Sequence, residues 1–274
     1  VRLILTEKRI SLRSFHFNLQ IAILNGRLPQ RGVPGDQIKQ SKKEKCVRFN
    51  HRLRDHRAAK LVQSLCQMAP TPTFGQMKIL LSSAKTLGPT ALTAIQPPVF
   101  LAEAQKHMAE IQQWNVQKIS RFYGTSPALS AKVQLMHQTW NAPSQKPNTP
   151  CALGQFKGEA FAKLDVEHLP PTAQSVAMER IVIGSGLYGL LRASDAMQPY
   201  RLDMDQKLGT RGLRHFWKPR ISDWLRETLD GGPCINLASA EYAEAIDTTG
   251  IDWVDVEFWQ EAGGKRKAVS VFSK

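Results

Sequence analysis

Ile181-Val182-Ile183-Gly184-Ser185-Gly186-Leu187-Tyr188-Gly189-Leu190-Leu191-Arg192 is the stretch whose reading decides the fold. Ile-Val-Ile reads as a buried central strand, and the glycines behind it require a tight turn or a backbone lying close to something. A central strand needs partners. Met77-Lys78-Ile79-Leu80-Leu81-Ser82 suits one, an apolar run that feeds the polar loop Ser82 to Thr86. Cys234-Ile235-Asn236-Leu237 suits another, and residues 253–259 and 267–272 read as a hairpin joined at Gly263-Gly264.

Helices fall between these strands. Behind Pro97-Pro98, the helical spacing of Leu101, Ala104, Met108 and Ile111 predicts a helix over 98–114, with shorter ones over 116–123 and 127–140. Past a Pro-rich break at 142–147, residues 152–164 read as one helix with Phe156 and Phe161 inward, and 172–179 as another. Ile221, Trp224, Leu225 and Leu229 mark a further helix, and Ser239 suits an N-cap with Glu241 in its first turn. Strands and helices intermix without a regular βαβ rhythm. The expected fold is therefore mixed α/β (α+β), a single compact domain with a mixed central sheet and surrounding helices.

The charge is unevenly spread. The 274 residues carry 37 Lys+Arg against 23 Asp+Glu, a net charge of +14, which invites a nucleic-acid reading. Residues 1–76 hold 15 of those cations and 4 of the acids, leaving a net +3 on residues 77–274. This leading segment runs through Lys42-Lys43-Glu44-Lys45 to Lys60 and ends in Ala69-Pro70-Thr71-Pro72-Thr73, which reads as a linker. Three readings compete for it: a basic nucleic-acid arm, an Arg-rich targeting peptide, or translated upstream sequence. A secretory signal is excluded by the short Leu19 to Leu24 run, interrupted by Gln20. No run of about 18 apolar residues suggests a membrane-spanning helix. Cys46, Cys66, Cys151 and Cys234 form no C-x-x-C pair, and the histidines have no ligand spacing outside His51 and His56, so no metal is expected and a reducing cytoplasm is.

Gly184 to Gly189 fits G-x-G-x-x-G by letters, but the acidic candidates Asp203 and Asp205 follow Pro199 in a turn rather than closing a βαβ unit. The alternative is a hairpin in which Gly186 and Gly189 offer N–H groups to a phosphate and Arg192 supplies charge. A third reading is a strand-to-helix turn that needs glycine for packing. Polar groups also gather at predicted strand ends: Ser82, Lys85 and Thr86; Tyr200 and Arg201; Asn236, Ser239 and Glu241, with Lys157 and Gly158 from a helix. Cations outnumber carboxylates there, so a phosphate or nucleotide-like ligand suits them better than a metal. No Ser/His/Asp order, G-x-S-x-G or H-E-x-x-H is present.

These residues carry a family resemblance. Met77 to Leu87 resembles the opening M-K-I-L-L-S-P-A-K-T-L of the YaaA-type peroxide stress proteins, and Phe156-Lys157-Gly158-Glu159-Ala160-Phe161 resembles their F-K-G-D-V-Y. Ser185 to Met204 is similar to S-G-L-Y-G-L-L-R-P-x-D-x-x-Q-P-Y-R-L-E-M, and Phe216-Trp217 and Ile235 to Tyr242 match F-W and I-N-L-A-S-x-E-Y in order. Ser83, Ala193 and Asp205 depart from the pattern. The resemblance covers residues 77–274 and gives 1–76 no counterpart. It favours upstream translation, a natural start at Met77, a poorly structured basic extension, and a domain missing its C-terminal end. It also implies a cytoplasmic protein of the hydrogen-peroxide response that limits free iron and binds double-stranded DNA through a helix-hairpin-helix-like element. Gly186, Leu187, Tyr188, Gly189 and Arg192 are the residues expected to form that element. The rival expectation is an enzyme with a nucleotide- or phosphate-binding pocket built from the strand-end residues.

Overall fold

A computed structural model describes residues 2–5, 45–51, 63, 76–143, 148–262 and 265–269. Ile79, Leu80, Leu81, Ile181, Val182 and Ile183 are buried, as strands covered on both faces require. They lie in β3 (Lys78–Ser82) and β4 (Ile181–Ser185), which pair in parallel with Ile79 opposite Ile181. On the other side of β3 comes β6 (Pro233–Asn236), then β7 (Asp252–Ala262), both parallel to their neighbours. β5 (Gly189–Arg192) turns back antiparallel on β4 and makes the sheet mixed. The central order is β7-β6-β3-β4-β5. The expected terminal hairpin is present, β8 (Lys265–Val269) pairing antiparallel with the far end of β7.

Of the leading segment, β1 (Arg2–Leu5) and β2 (Lys45–His51) are strands that continue the sheet beyond β7. Apart from residue 63 and the turn at residue 76, the rest of residues 1–76 lies outside the described residues, and with it most of the expected unstructured extension.

The helices follow the sequence reading with two changes. α1 (Leu101–Ile111), α2 (Val116–Tyr123) and α3 (Pro127–Gln138) fill the interval between β3 and the 150s. The single helix expected over 152–164 is instead two, α4 (Ala152–Gln155) and α5 (Glu159–Leu164). The break arises because this strip crosses the 84–88 loop. Lys157 N donates to Thr86 O (2.9 Å), Gly88 N donates to Gln155 O (2.9 Å), and a Cβ on Gly158 would stand 2.6 Å from that of Ala84. Phe156 and Phe161 are nevertheless both buried, as their spacing implied. After α6 (Pro171–Arg180), the second change is α7 (Leu213–Leu229), which starts eight residues before Ile221 and runs through Pro219. Burial of Leu213 and Trp217 on the added turns offsets the missing proline N–H. α8 (Ala240–Ala243) begins after Ser239 as expected.

Candidate functional site

β4, β3 and β6 run parallel, so their carboxyl ends share one edge of the sheet, where α/β sites form. Ser82 ends β3, Ser185 ends β4 and Ser239 follows β6. Ser82 Oγ donates to Ser239 Oγ (3.2 Å) and accepts from Ser239 N (2.9 Å). Ser83 Oγ donates to Tyr242 OH (2.8 Å), while Ser185 Oγ shares a 2.6 Å bond with Tyr200 OH and accepts from Tyr188 N (3.0 Å). Lys85 Nζ lies 3.3 Å from Asp203, and Glu241 Oε1 accepts from the N–H groups of Met204 (2.9 Å) and Asp205 (3.4 Å).

The structure thus brings together Ser82, Lys85, Tyr200, Ser239 and Glu241. The other expected members are directed elsewhere. Lys157 pairs with Glu167 (3.5 Å) and Asn236 Nδ2 donates to Asp255 (2.7 Å). Arg201 faces the helices: its carbonyl accepts from Tyr123 OH and His137 Nε2, and its guanidinium stands 5.5 Å from the Tyr123 ring. Thr86 and Gly158 serve the crossing described above. Residues that the sequence reading did not assign to this site are Ser83, Ser185 and Tyr242, and Asp203, weighed there only as the acid of a dinucleotide turn, joins it through Lys85. The strand-end rule applied to Ile181–Ser185 would have found Ser185.

Electrostatically this cluster is not the cation-rich set expected. Asp203 pairs with Lys85, Glu241 adds a second carboxylate, and burial, then the charges of Asp203 and Asp205, push the Glu241 carboxyl up. Burial pushes the phenols of Tyr188, Tyr200 and Tyr242 well above their ordinary range. They are neutral hydroxyls, each able to donate one hydrogen bond and accept others. The arrangement ties three strand ends to the 198–205 segment.

The Gly186–Gly189 turn is enclosed. It joins two antiparallel strands, β4 and β5, not two helices, so neither a helix-hairpin-helix nor a dinucleotide turn lies here. Gly186, Leu187, Tyr188 and Gly189 are all buried, and Trp217 Nε1 donates to Gly186 O (2.8 Å). A Cβ on Gly186 would stand 2.3 Å from Leu202 O, and one on Gly189 2.4 Å from the Trp217 ring. The glycines admit this close packing. Arg192 is engaged as well: Nε pairs with buried Asp195 (2.7 Å) and Nη2 donates to Pro97 O (2.8 Å).

Two helices joined by a tight exposed turn occur instead at α2 and α3. Asn115 caps α2, its side chain accepting from Lys118 N (2.9 Å), and Gly124 ends it in the left-handed region at φ 62°. Ser126 caps α3, and Pro127 occupies its first turn. Ser120 Oγ donates to Thr125 O (2.6 Å) and Thr125 Oγ1 bonds Ser130 Oγ (2.9 Å), fixing the turn from inside. Gly124 and residues 126–129 are exposed, as are Lys118, Arg121 and Lys132. Residues 112–158 contain five Lys/Arg and not one Asp or Glu. Of these cations Lys118, Arg121 and Lys132 stand exposed on α2 and α3, which carry no carboxylate of their own, so the helix pair is locally positive in a body with a net charge of only +3.

A cleft of about 410 Å³ opens elsewhere, between α1 and the start of α7. It is lined by His107 and Glu110 of α1, by the loop Leu208 to Gly212, and by His215, Phe216, Pro219 and Arg220 of α7. Among the described residues no group of three or more His, Cys, Asp or Glu is placed to hold a metal ion, and no helix is long and apolar enough to cross a membrane.

Comparison with known proteins places the chain among relatives. It is 32% identical over 209 residues to a UPF0246 protein of Polynucleobacter necessarius, covering 72% of this chain and 81% of that one. A UPF0246 protein of Hahella chejuensis is 34% identical over 209 residues, covering 72% and 82%. A third, from Francisella philomiragia, is 30% identical with the same coverage. The model of the family described as peroxide stress protein YaaA matches residues 77–274, the span that includes the strand-end cluster, the enclosed turn and the acid-free helix pair. By this match and these identities, the chain belongs to the YaaA peroxide stress protein family.

Proposed function

We propose that this chain serves the cytoplasmic response to hydrogen peroxide by binding double-stranded DNA through the α2–α3 turn, helping to limit free iron and the DNA damage it causes. The observation that carries the DNA reading is the helix pair α2–α3, which has no Asp or Glu and exposes Lys118, Arg121 and Lys132 beside a turn that leads into a capped helix. Helix N-terminal N–H groups and flanking cations suit phosphate oxygens, which carry no sequence information, so binding is sequence-independent and salt-sensitive. The test is duplex binding by the full chain and by Arg121→Ala/Lys132→Ala. The double variant should bind several-fold more weakly, with the slope of log K against log salt reduced by about 2. Unchanged affinity and slope refute the assignment.

A second reading, an enzyme with a nucleotide-like ligand at the strand ends, is favoured by Lys85, 64% exposed over the serine-tyrosine cluster. Nucleotides that raise the melting midpoint of the wild-type chain but not of Lys85→Ala would support it, since a ligand stabilises only the state that binds it. No shift with any nucleotide would count against it.

A further inference from the structure

We propose that the cleft between α1 and the start of α7 is a binding site for a phosphate group. None of its lining residues belongs to the strand-end cluster or to the α2–α3 turn. Its walls combine cations with a backbone shaped for close approach. Arg211 Nη1 stands 3.2 Å from His215 Nε2. Arginine has only donors, so at this contact the Arg211 guanidinium donates toward the ring nitrogen. Among the described residues no carboxylate pairs with Arg211 or His215. Arg220 lines the same cleft with its guanidinium carbon over the Phe216 ring, 4.0 Å from the centroid, while Nη1 donates to Phe216 O (2.8 Å). Glu103 approaches it only to 3.9 Å, so most of its donors remain available.

The opposite wall is His107, packed edge-on against Phe216 at 4.6 Å, whose Nε2 is buried without a hydrogen-bond partner. Gly209 and Gly212 flank Thr210-Arg211, both with positive φ (71° and 77°), and a Cβ on Gly209 would meet nothing within 4 Å. The loop therefore offers its main chain without side-chain cover at that point and runs into the 17-residue α7, whose first turn carries partial positive charge. Glu110 is the one carboxylate in the lining. Arg211 without a carboxylate partner, the stacked Arg220 and a glycine-flanked turn, set against Glu110 in the lining and Glu103 at 3.9 Å from Arg220, favour an anion beside Arg211, and the fork geometry of arginine suits phosphate oxygens.

The phosphate could come from a small phosphorylated molecule or from a DNA backbone, and one experiment separates the sources. The full chain is titrated calorimetrically at low salt with inorganic phosphate, with AMP and with a short duplex, beside Arg211→Ala and Glu110→Gln. Both substitutions are at exposed side chains, and unchanged circular dichroism confirms their folds. The expected result is saturable phosphate binding that weakens roughly tenfold in Arg211→Ala and tightens a few-fold in Glu110→Gln. Loss confined to phosphate and AMP identifies a small ligand, whereas parallel loss of duplex affinity identifies the DNA backbone. No saturable phosphate or AMP binding by the wild-type chain, or equal affinity in wild type and Arg211→Ala, overturns the proposal.

Discussion

Gly189 shows how one residue can be legible and misread together. The glycine run announces a place where a Cβ cannot stand, and the neighbour that excludes it is the Trp217 ring, with φ at 70° adding backbone strain. The predicted consequence is for stability: Gly189→Ala and Gly186→Ala should each lower it by about 2 kcal/mol or more, read from urea midpoints. Gly209→Ala, strained in φ but unobstructed, should cost about 1 kcal/mol. Arg192 likewise becomes a structural residue. With Asp195 fully buried and Arg192 31% exposed, Arg192→Ala should destabilise by on the order of 2 kcal/mol while leaving duplex affinity unchanged. Two buried groups should give opposite pH signatures. Burial, partly offset by the hydrogen bond to Arg201, lowers His137 from 6.5 to about 4, so its contribution is present above pH 6.5 and lost as pH falls through 4. Burial against the opposing charge of Arg192 raises Asp195 from 3.8 to about 6, so its contribution is present below pH 3.8 and lost as pH rises through 6. Each amounts to on the order of 3 kcal/mol. From pH 6.5 down to 4, therefore, His137→Gln should gain stability relative to wild type and Asp195→Asn should lose it, as urea midpoints across that range would show.

At the scale of elements, the periodic segments were readable and the crossings were not. Leu101, Ala104 and Ile111 disclosed α1, and the α2 boundaries follow from Asn115 as cap and Gly124 as stop. The split of 152–164 was hidden because what breaks the helix is the 84–88 loop, some 70 residues away in sequence. The same distance effect hid half of the strand-end cluster. Ser82, Tyr200 and Ser239 could be named from local context, and Ser185 from its place at the end of a legible strand, but Ser83 and Tyr242 acquire meaning only once β4, β3 and β6 are known to be parallel. The letters of Gly186–Gly189 resemble a phosphate turn, although burial, which letters do not record, decides what a turn can touch. Within the α2–α3 element, Ser126→Ala removes the cap that accepts from Leu129 N and should cost about 1 kcal/mol in thermal or urea unfolding.

For the whole molecule, charge is a matter of placement. Of the net +14, +11 belongs to residues 1–76, and the remaining +3 masks a 47-residue stretch with no acid. A basic leading segment and a basic helix pair would both attract duplex DNA in bulk, so affinity alone does not tell them apart. The salt dependence of the full chain does, because each lost phosphate contact lowers the slope by a fixed step. The decisive measurement is therefore duplex affinity across a salt series for wild type, Arg121→Ala/Lys132→Ala, and a variant with Lys42, Lys43 and Lys45 changed to Ala. The account predicts that the helix-pair variant loses about 2 from the slope and several-fold in affinity whether or not the leading lysines are present. If the leading-segment variant alone lost slope and affinity while Arg121→Ala/Lys132→Ala bound as wild type, the α2–α3 surface would not be the DNA-binding element.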